Sequence, residues 1–202
     1  MRPTHLAAAL FVLGLCTLPA CHSRDDDASP APGGEGTASS KAGRFSLQFE
    51  GAELLDFERR GDGFAITSGG KAWGTLKLES DRVKLDQDGK EAAKAKAKDY
   101  GFKVYDGDRE LFKVKRKGAG YEVRRADDSE LGRFEANGGR FASDAVTLES
   151  NGDASLLKRG GRTLVTVRGP LSSSAALMLA ATEATLPQRL VMATIVQERI
   201  AP

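Results

Sequence analysis

The chain has 202 residues with 30 basic and 28 acidic side chains, a formal net charge of +2 and a mean hydropathy of −0.35. This length fits one domain of ordinary size, and the near balance of charge selects no particular partner. Both cysteines and both histidines lie within the first 22 residues. A Ser-His-Asp or Cys-His catalytic group, or a usual zinc site, therefore cannot be built from the residues that follow.

An apolar run near the start of the chain, residues 6–18, follows the positive charge of Arg2. It ends in Leu18-Pro19-Ala20-Cys21, which resembles the lipobox of bacterial lipoproteins. The run is too short to span a bilayer as a helix. Ordinary secretion, with cleavage nearby, is the alternative interpretation of the same residues.

The lipobox resemblance implies that residues 1–20 are removed and that Cys21 is acylated, so that its acyl chains hold the protein to a membrane. Lipoproteins retained in the inner membrane conventionally carry aspartate after this cysteine, whereas the present chain has His22. The resemblance therefore points to the outer membrane of a Gram-negative cell. Which side of that membrane the protein faces is left open.

Residues 21–43 are predicted to form the acylated cysteine and a disordered tether. The stretch is rich in Ser, Ala, Gly, Pro and Asp and carries no large apolar side chain, so it cannot offset its ordering entropy by burial. A flexible chain of this length has an r.m.s. reach of about 25 Å. Residues 44–202 then form a single domain.

This domain contains an internal repeat of 19 residues. Apolar residues at i and i+2 recur with that spacing, a Gly or Asp follows most of these pairs, and a second apolar segment comes next. Each unit therefore predicts a β-hairpin with one buried face. The pairs are Phe45/Leu47, Phe64/Ile66, Val83/Leu85, Phe102/Val104 and Tyr121/Val123, and, after a six-residue insertion, Val146/Leu148 and Val165/Val167.

Seven such units, of which the last, at Val165/Val167, is an incomplete hairpin, give about twelve antiparallel strands. A sheet of that size is expected to close into a barrel. The segment Glu91–Asp99 is rich in Ala and Lys, residues that favour helix. The repeat nevertheless places Ala93, Ala95 and Ala97 at inward positions of a hairpin. We therefore predict a strand for this segment.

Two helices are predicted after Gly169-Pro170, where the repeat stops. The first covers about 171–184, and residues 175–181 within it are apolar on every side, which indicates a helix buried all round. The second runs from about 186 to 200 and carries one apolar stripe. A barrel of about twelve strands is wider than its own side chains can fill, so the first helix is a natural plug for the lumen.

The hairpin units Gly101–Arg116 and Gly120–Glu135, followed by an apolar C-terminal helix, resemble the tubby-like barrel in its LURP-one-related branch. The likeness covers roughly residues 44–184 and rests on architecture and hairpin pattern. It implies phospholipid binding, membrane tethering or scramblase-like roles. The second helix has no counterpart in that family, so the first helix could thread the lumen or pack outside an open sheet.

One charge pattern follows from the repeat. Residues 90–125 hold twelve basic and six acidic side chains. A solvated face that discourages edge pairing is the simpler interpretation, and a surface for anionic lipid or another polyanion is the alternative. Seven lysines share the 19-residue spacing and should point outward from equivalent strands: Lys77, Lys94, Lys96, Lys98, Lys113, Lys115 and Lys117.

The sequence predicts no cofactor, no metal site and no catalytic residue. Asp86–Gly89 and Asp106–Glu110 resemble fragments of calcium loops but lack the full ligand spacing, and both favour hairpin turns. The leading hypothesis is a membrane-anchored, noncatalytic envelope lipoprotein that engages phospholipid, an apolar ligand or an envelope protein. The alternatives are a carboxylate-based periplasmic enzyme and a lipid-handling protein whose helix leaves the lumen. Nucleic acid is not an expected partner of an exported lipoprotein.

Overall fold

The computed structural model describes residues 43–200. The predicted signal peptide, Cys21 and nearly all of the predicted tether lie outside the described residues. The helices are α1 (Ser173–Met178) and α2 (Leu186–Ile195), and a π-helical turn, Val196–Ile200, continues α2. The strands are β1 (Arg44–Phe49), β2 (Leu54–Arg60), β3 (Gly63–Ser68), β4 (Lys71–Leu78), β5 (Arg82–Gln87), β6 (Lys90–Lys98), β7 (Gly101–Asp106), β8 (Arg109–Lys117), β9 (Gly120–Arg125), β10 (Glu130–Glu135), β11 (Gly138–Phe141), β12 (Asp144–Asn151), β13 (Ala154–Arg159) and β14 (Arg162–Arg168).

The strands form a closed antiparallel barrel. Each strand pairs with the one before and the one after it, and β1 pairs with β14. In that closing pair Leu47 lies opposite Val167, and both side chains are buried. Closure leaves no strand edge with unpaired N–H and C=O groups. The predicted mainly β barrel is confirmed, but it has fourteen strands rather than about twelve.

The strand that the repeat does not reveal is β11, which lies where the 19-residue spacing breaks. Its sequence is GGRF, so it offers no apolar pair at i and i+2. Gly139 lies opposite Phe134 of β10, and a Cβ atom at Gly139 would lie 2.0 Å from the carbonyl oxygen of Arg133. The backbones approach so closely here that glycine is required, and the apolar signal of a strand is lost with it.

The two helices form a hairpin that enters and leaves the barrel at one end. We call the end where β1 begins the lower end, and the opposite end the upper end. Because the strands alternate in direction, β14 finishes at the lower end beside the start of β1. Glu183, between the helices, pairs at 2.7 Å with Arg125, at the upper end of β9. Glu198, after α2, pairs with Arg59 near the lower end of β2.

This helical hairpin fills the lumen. Every residue of 175–181 and 190–196 is at most 5% exposed, and these residues join the inward side chains of the strands in one core. α2 packs on β5, β6 and β7, and α1 packs on β10 and β12. Eight strands can be filled by their own side chains, whereas fourteen leave a wider lumen. The helices therefore lie inside the barrel as its core, not outside an open sheet.

Side-chain hydrogen bonds define both ends of the helical hairpin. The Ser172 hydroxyl accepts a bond from the Ala175 N–H at 3.3 Å and starts α1, which ends at Met178, earlier than predicted. The Gln188 side chain accepts from the Thr185 N–H at 3.0 Å at the start of α2. The Gln197 side chain accepts from the Ser172 N–H at 2.8 Å and ties the two ends together at the lower end. These bonds satisfy backbone donors that a helix terminus leaves unpaired.

The Ala- and Lys-rich segment is a strand, β6, as predicted from the repeat. Ala93 and Ala95 point inward and are at most 1% exposed, and α2 packs directly on this strand. Small inward side chains allow the helix to approach the barrel wall closely, since larger ones would occupy the same space. The tertiary position therefore overrides the helical propensity of Ala and Lys.

We expect Ala95→Leu to destabilise the domain by about 1–3 kcal/mol, because the added carbons would overpack the contact between β6 and α2. The matched control is Ala145→Leu, on the exposed outer side of β12, which should change stability little. Chemical denaturation of both variants measures the difference. Equal stability of the two variants would show that β6 and α2 are not tightly packed.

Candidate functional site

The seven repeat-related lysines lie on three alternate strands, Lys77 on β4 and the others on β6 and β8. We call them the lysine face. The strands between them add more cations, because Lys84 of β5 lies opposite both Lys77 and Lys94. The prediction of an outward basic surface thus extends to residues that the 19-residue spacing does not connect.

A row of directly opposed cations crosses five neighbouring strands, β5 to β9. With strands spaced 4.7–4.9 Å apart, the row is about 19 Å long. Like charges at opposed positions destabilise a sheet, so the row requires compensation. Its members are Arg82, Lys96, Lys103, Lys113 and Arg124.

Carboxylates from turns and neighbouring strands compensate most of this charge. Lys103 bonds Glu110 at 2.6 Å, and Lys113 bonds Asp128 at 2.9 Å. Each hydrogen bond raises the pKa of its lysine above the ordinary value. Lys96 lies instead over the Tyr105 ring, with 5.3 Å between Nζ and the ring centroid. The row is therefore held within an ion-pair network.

The lysine face itself divides into bound and exposed members. Lys94 is the least accessible, with a side chain 11% exposed and Nζ 3.0 Å from a Glu91 oxygen. Lys77 bonds Asp86 at 2.5 Å, whereas Lys115 lies 3.8 Å from Asp128. Lys98 and Lys117, at the lower end, are exposed and have no ion-pair partner among residues 43–200. Within the lysine face, the charge available to a partner is thus concentrated at the lower end.

Glu122 is a buried carboxylate on the outer side of β9. Its side chain is 3% exposed and is bonded by Arg124 and by Arg133, the latter at 3.0 Å. The bond from Arg124, with that from Arg133, lowers the pKa of Glu122 below its ordinary 4.5 despite burial. The carboxylate is therefore held ionised between two guanidinium groups, an arrangement that stabilises the wall.

Arg189 of α2 is a charged side chain at the upper end of the lumen. It is partly buried, donates to the Leu179 carbonyl oxygen at 3.2 Å and lies 5.2 Å from the centroid of the Phe49 ring. Burial lowers its pKa from the ordinary value. These contacts hold the start of α2 near the upper end and form part of the core.

A surface depression with a volume of about 940 Å³ lies on the outer wall over β10, β11 and β12. It forms where Gly138 and Ala145, which have small or no side chains, lie at outward positions beside the opposed pair Arg133 and Arg140. Within residues 43–200, no group of three or more His, Cys, Asp or Glu side chains could hold a metal ion. The two Asp- and Gly-rich segments form hairpin turns, with Asp88 and Gly107 at positive φ.

No protein-family model, curated protein or solved structure matches this chain. In the part of the chain that the structure describes, no helix has the length and apolar character needed to cross a membrane.

We expect Glu122→Gln to lower the stability at pH 7 by about 1–3 kcal/mol, because it removes the charge-assisted bonds to two arginines. The pKa of this carboxyl is lowered on folding, so its contribution is present above pH 4.5 and is lost as the pH falls through the folded-state pKa. Denaturation at pH 7 and at low pH should therefore show a gap between variant and wild type that closes in acid.

The matched control is Glu130→Gln, an exposed carboxylate 3.4 Å from the same Arg133. It should show little effect at either pH. A constant gap for Glu122→Gln across the whole pH range would mean that its effect comes from shape and not from charge.

Proposed function

We propose that the protein is a lipid-anchored, noncatalytic lipoprotein of the bacterial cell envelope whose barrel is a binding or structural domain. The observation that carries the proposal is the apolar run ending in Leu18-Pro19-Ala20-Cys21, with cysteine and histidine restricted to the first 22 residues. Acylation of Cys21 would supply the membrane attachment. His22 supports the outer membrane as its location.

The packing of the lumen supports a function that uses the outer surface and the ends of the barrel. The largest inward side chains, Phe57, Phe64 and Phe102 among them, are at most 1% exposed and pack in one core with the helical hairpin. An apolar ligand in the lumen would have to displace α1 and α2. Anionic phospholipid or an envelope protein at the charged outer surface needs no such displacement. The proposed contact is the exposed part of the lysine face, Lys98 and Lys117.

The test of the anchor is Cys21→Ala in the native host. The variant should leave the membrane fraction and lose the mass of the acyl chains, because acylation requires that cysteine. Cys16→Ala, within the same apolar run, is the matched control and should stay anchored. Membrane fractionation, density-gradient separation of the two membranes and mass spectrometry of the purified protein provide the measurements. A Cys21→Ala protein that remains membrane-bound with unchanged mass would contradict the proposal.

A further inference from the structure

Two neighbouring turns at the lower end bring together basic side chains and an exposed aromatic ring. The turn between β6 and β7 carries Lys98 and Tyr100, and the end of β8 carries Lys115, Arg116 and Lys117. The backbone N–H of Arg116 donates to the Tyr100 carbonyl oxygen at 2.7 Å, which joins the two turns. We call these five residues the basic tip.

The basic tip carries charge that the barrel does not neutralise. Residues 98–100 and 115–117 contain four basic side chains and one carboxylate, Asp99. Lys98, Arg116 and Lys117 are exposed and have no ion-pair partner among residues 43–200. This distinguishes the basic tip from the barrel wall, where lysines such as Lys94 and Lys113 are held by carboxylates.

Tyr100 gives the basic tip an apolar component. It is 41% exposed and is the one large hydrophobic side chain that is exposed within residues 43–200. Tyrosine has an apolar ring and a polar hydroxyl, and it is enriched where protein meets the interface of a bilayer. An exposed tyrosine beside several cations is typical of a surface that docks on anionic headgroups.

The polypeptide places the basic tip on the side from which the proposed anchor leaves. Gly43 precedes β1 at the lower end, so the chain that leads back to Cys21 departs from the same end of the barrel as the basic tip. The tether predicted from the sequence has an r.m.s. reach of about 25 Å, whereas attraction to an anionic surface extends over about 8 Å at physiological salt. The connection can therefore bring the lower end within range of the headgroups.

We propose that the basic tip docks the lower end of the barrel on the anionic phospholipid surface of the membrane that holds the anchor. This inference rests on the proposed lipid attachment and assigns the barrel an orientation, with its upper end away from the bilayer. The contact is made by Lys98, Arg116 and Lys117 with headgroup phosphates and by Tyr100 at the interface. The ion-paired wall lysines have no part in it.

The test uses the full acylated protein reconstituted on vesicles. Two single-cysteine variants each carry one fluorescent label. Ala119→Cys, in the β8–β9 turn, labels the lower end, and Ser143→Cys, in the β11–β12 turn, labels the upper end. Quenching by spin-labelled headgroups is measured in vesicles of phosphatidylglycerol with phosphatidylcholine and in pure phosphatidylcholine. We expect strong, salt-sensitive quenching of the lower label with phosphatidylglycerol, and weak quenching of the upper label in both.

Matched triple variants identify the residues responsible. Lys98→Gln/Arg116→Gln/Lys117→Gln should lower the ratio of docked to undocked protein about fivefold for each charge, which corresponds to about 1 kcal/mol per residue. Lys71→Gln/Lys90→Gln/Arg109→Gln removes the same number of exposed charges at the upper end and should change nothing. Equal melting temperatures of the two variants establish that both are folded.

Three outcomes would overturn the orientation. Equal quenching of both labels, or quenching that ignores lipid charge and salt, would show that the acylated protein has no docked face. Loss of quenching with Lys77→Gln/Lys94→Gln/Lys113→Gln and not with the basic-tip variant would place the contact on the barrel wall. Failure of the anchor itself has a different signature, because Cys21 would then lack acyl chains in the mass spectrum and the docking proposal would fall with it.

Discussion

The width of a fourteen-stranded barrel is the constraint on which the remaining structure depends. A closed sheet of this size removes every strand edge but encloses more space than inward side chains can fill. The helical hairpin occupies that space, and its residues are as buried as those of the strands. Wall and hairpin therefore share one core, so each depends on the other for the burial of its apolar surface.

The fit between helix and wall explains the most unusual segment of the sequence. Lys90–Lys98 would favour helix by propensity alone, yet it forms β6 because Ala93 and Ala95 face the lumen that α2 fills, and its lysines lie on the outer wall. Alternation with period two is satisfied on both sides of the strand. The same alternation places basic side chains on the outer wall, so the packing of the lumen and the charge of the surface are linked through one strand.

Sequence periodicity predicts the hairpins, and the apolar run 175–181 predicts one helix in the lumen. The burial of the second helix, α2, in the same lumen and much of the charge distribution do not follow from these patterns. The 19-residue spacing relates alternate strands such as β6 and β8, so it does not connect Lys103 on β7 or Arg124 on β9 to the cation row. The partners Glu91, Glu110 and Asp128 are set by cross-strand register and turn geometry, which a single sequence does not define. The sequence does not reveal β11, because glycines stand where a strand would carry inward apolar side chains.

Burial of the helical hairpin as the barrel's core can be measured directly by native-state hydrogen exchange on the full chain. If α2 is part of that core, backbone amides of Leu190–Val196 exchange only through global unfolding and are as slow as those of β6. Exchange of α2 amides orders of magnitude faster than β6, while the strands stay protected, would contradict this. It would show that the helices leave the lumen of an intact barrel.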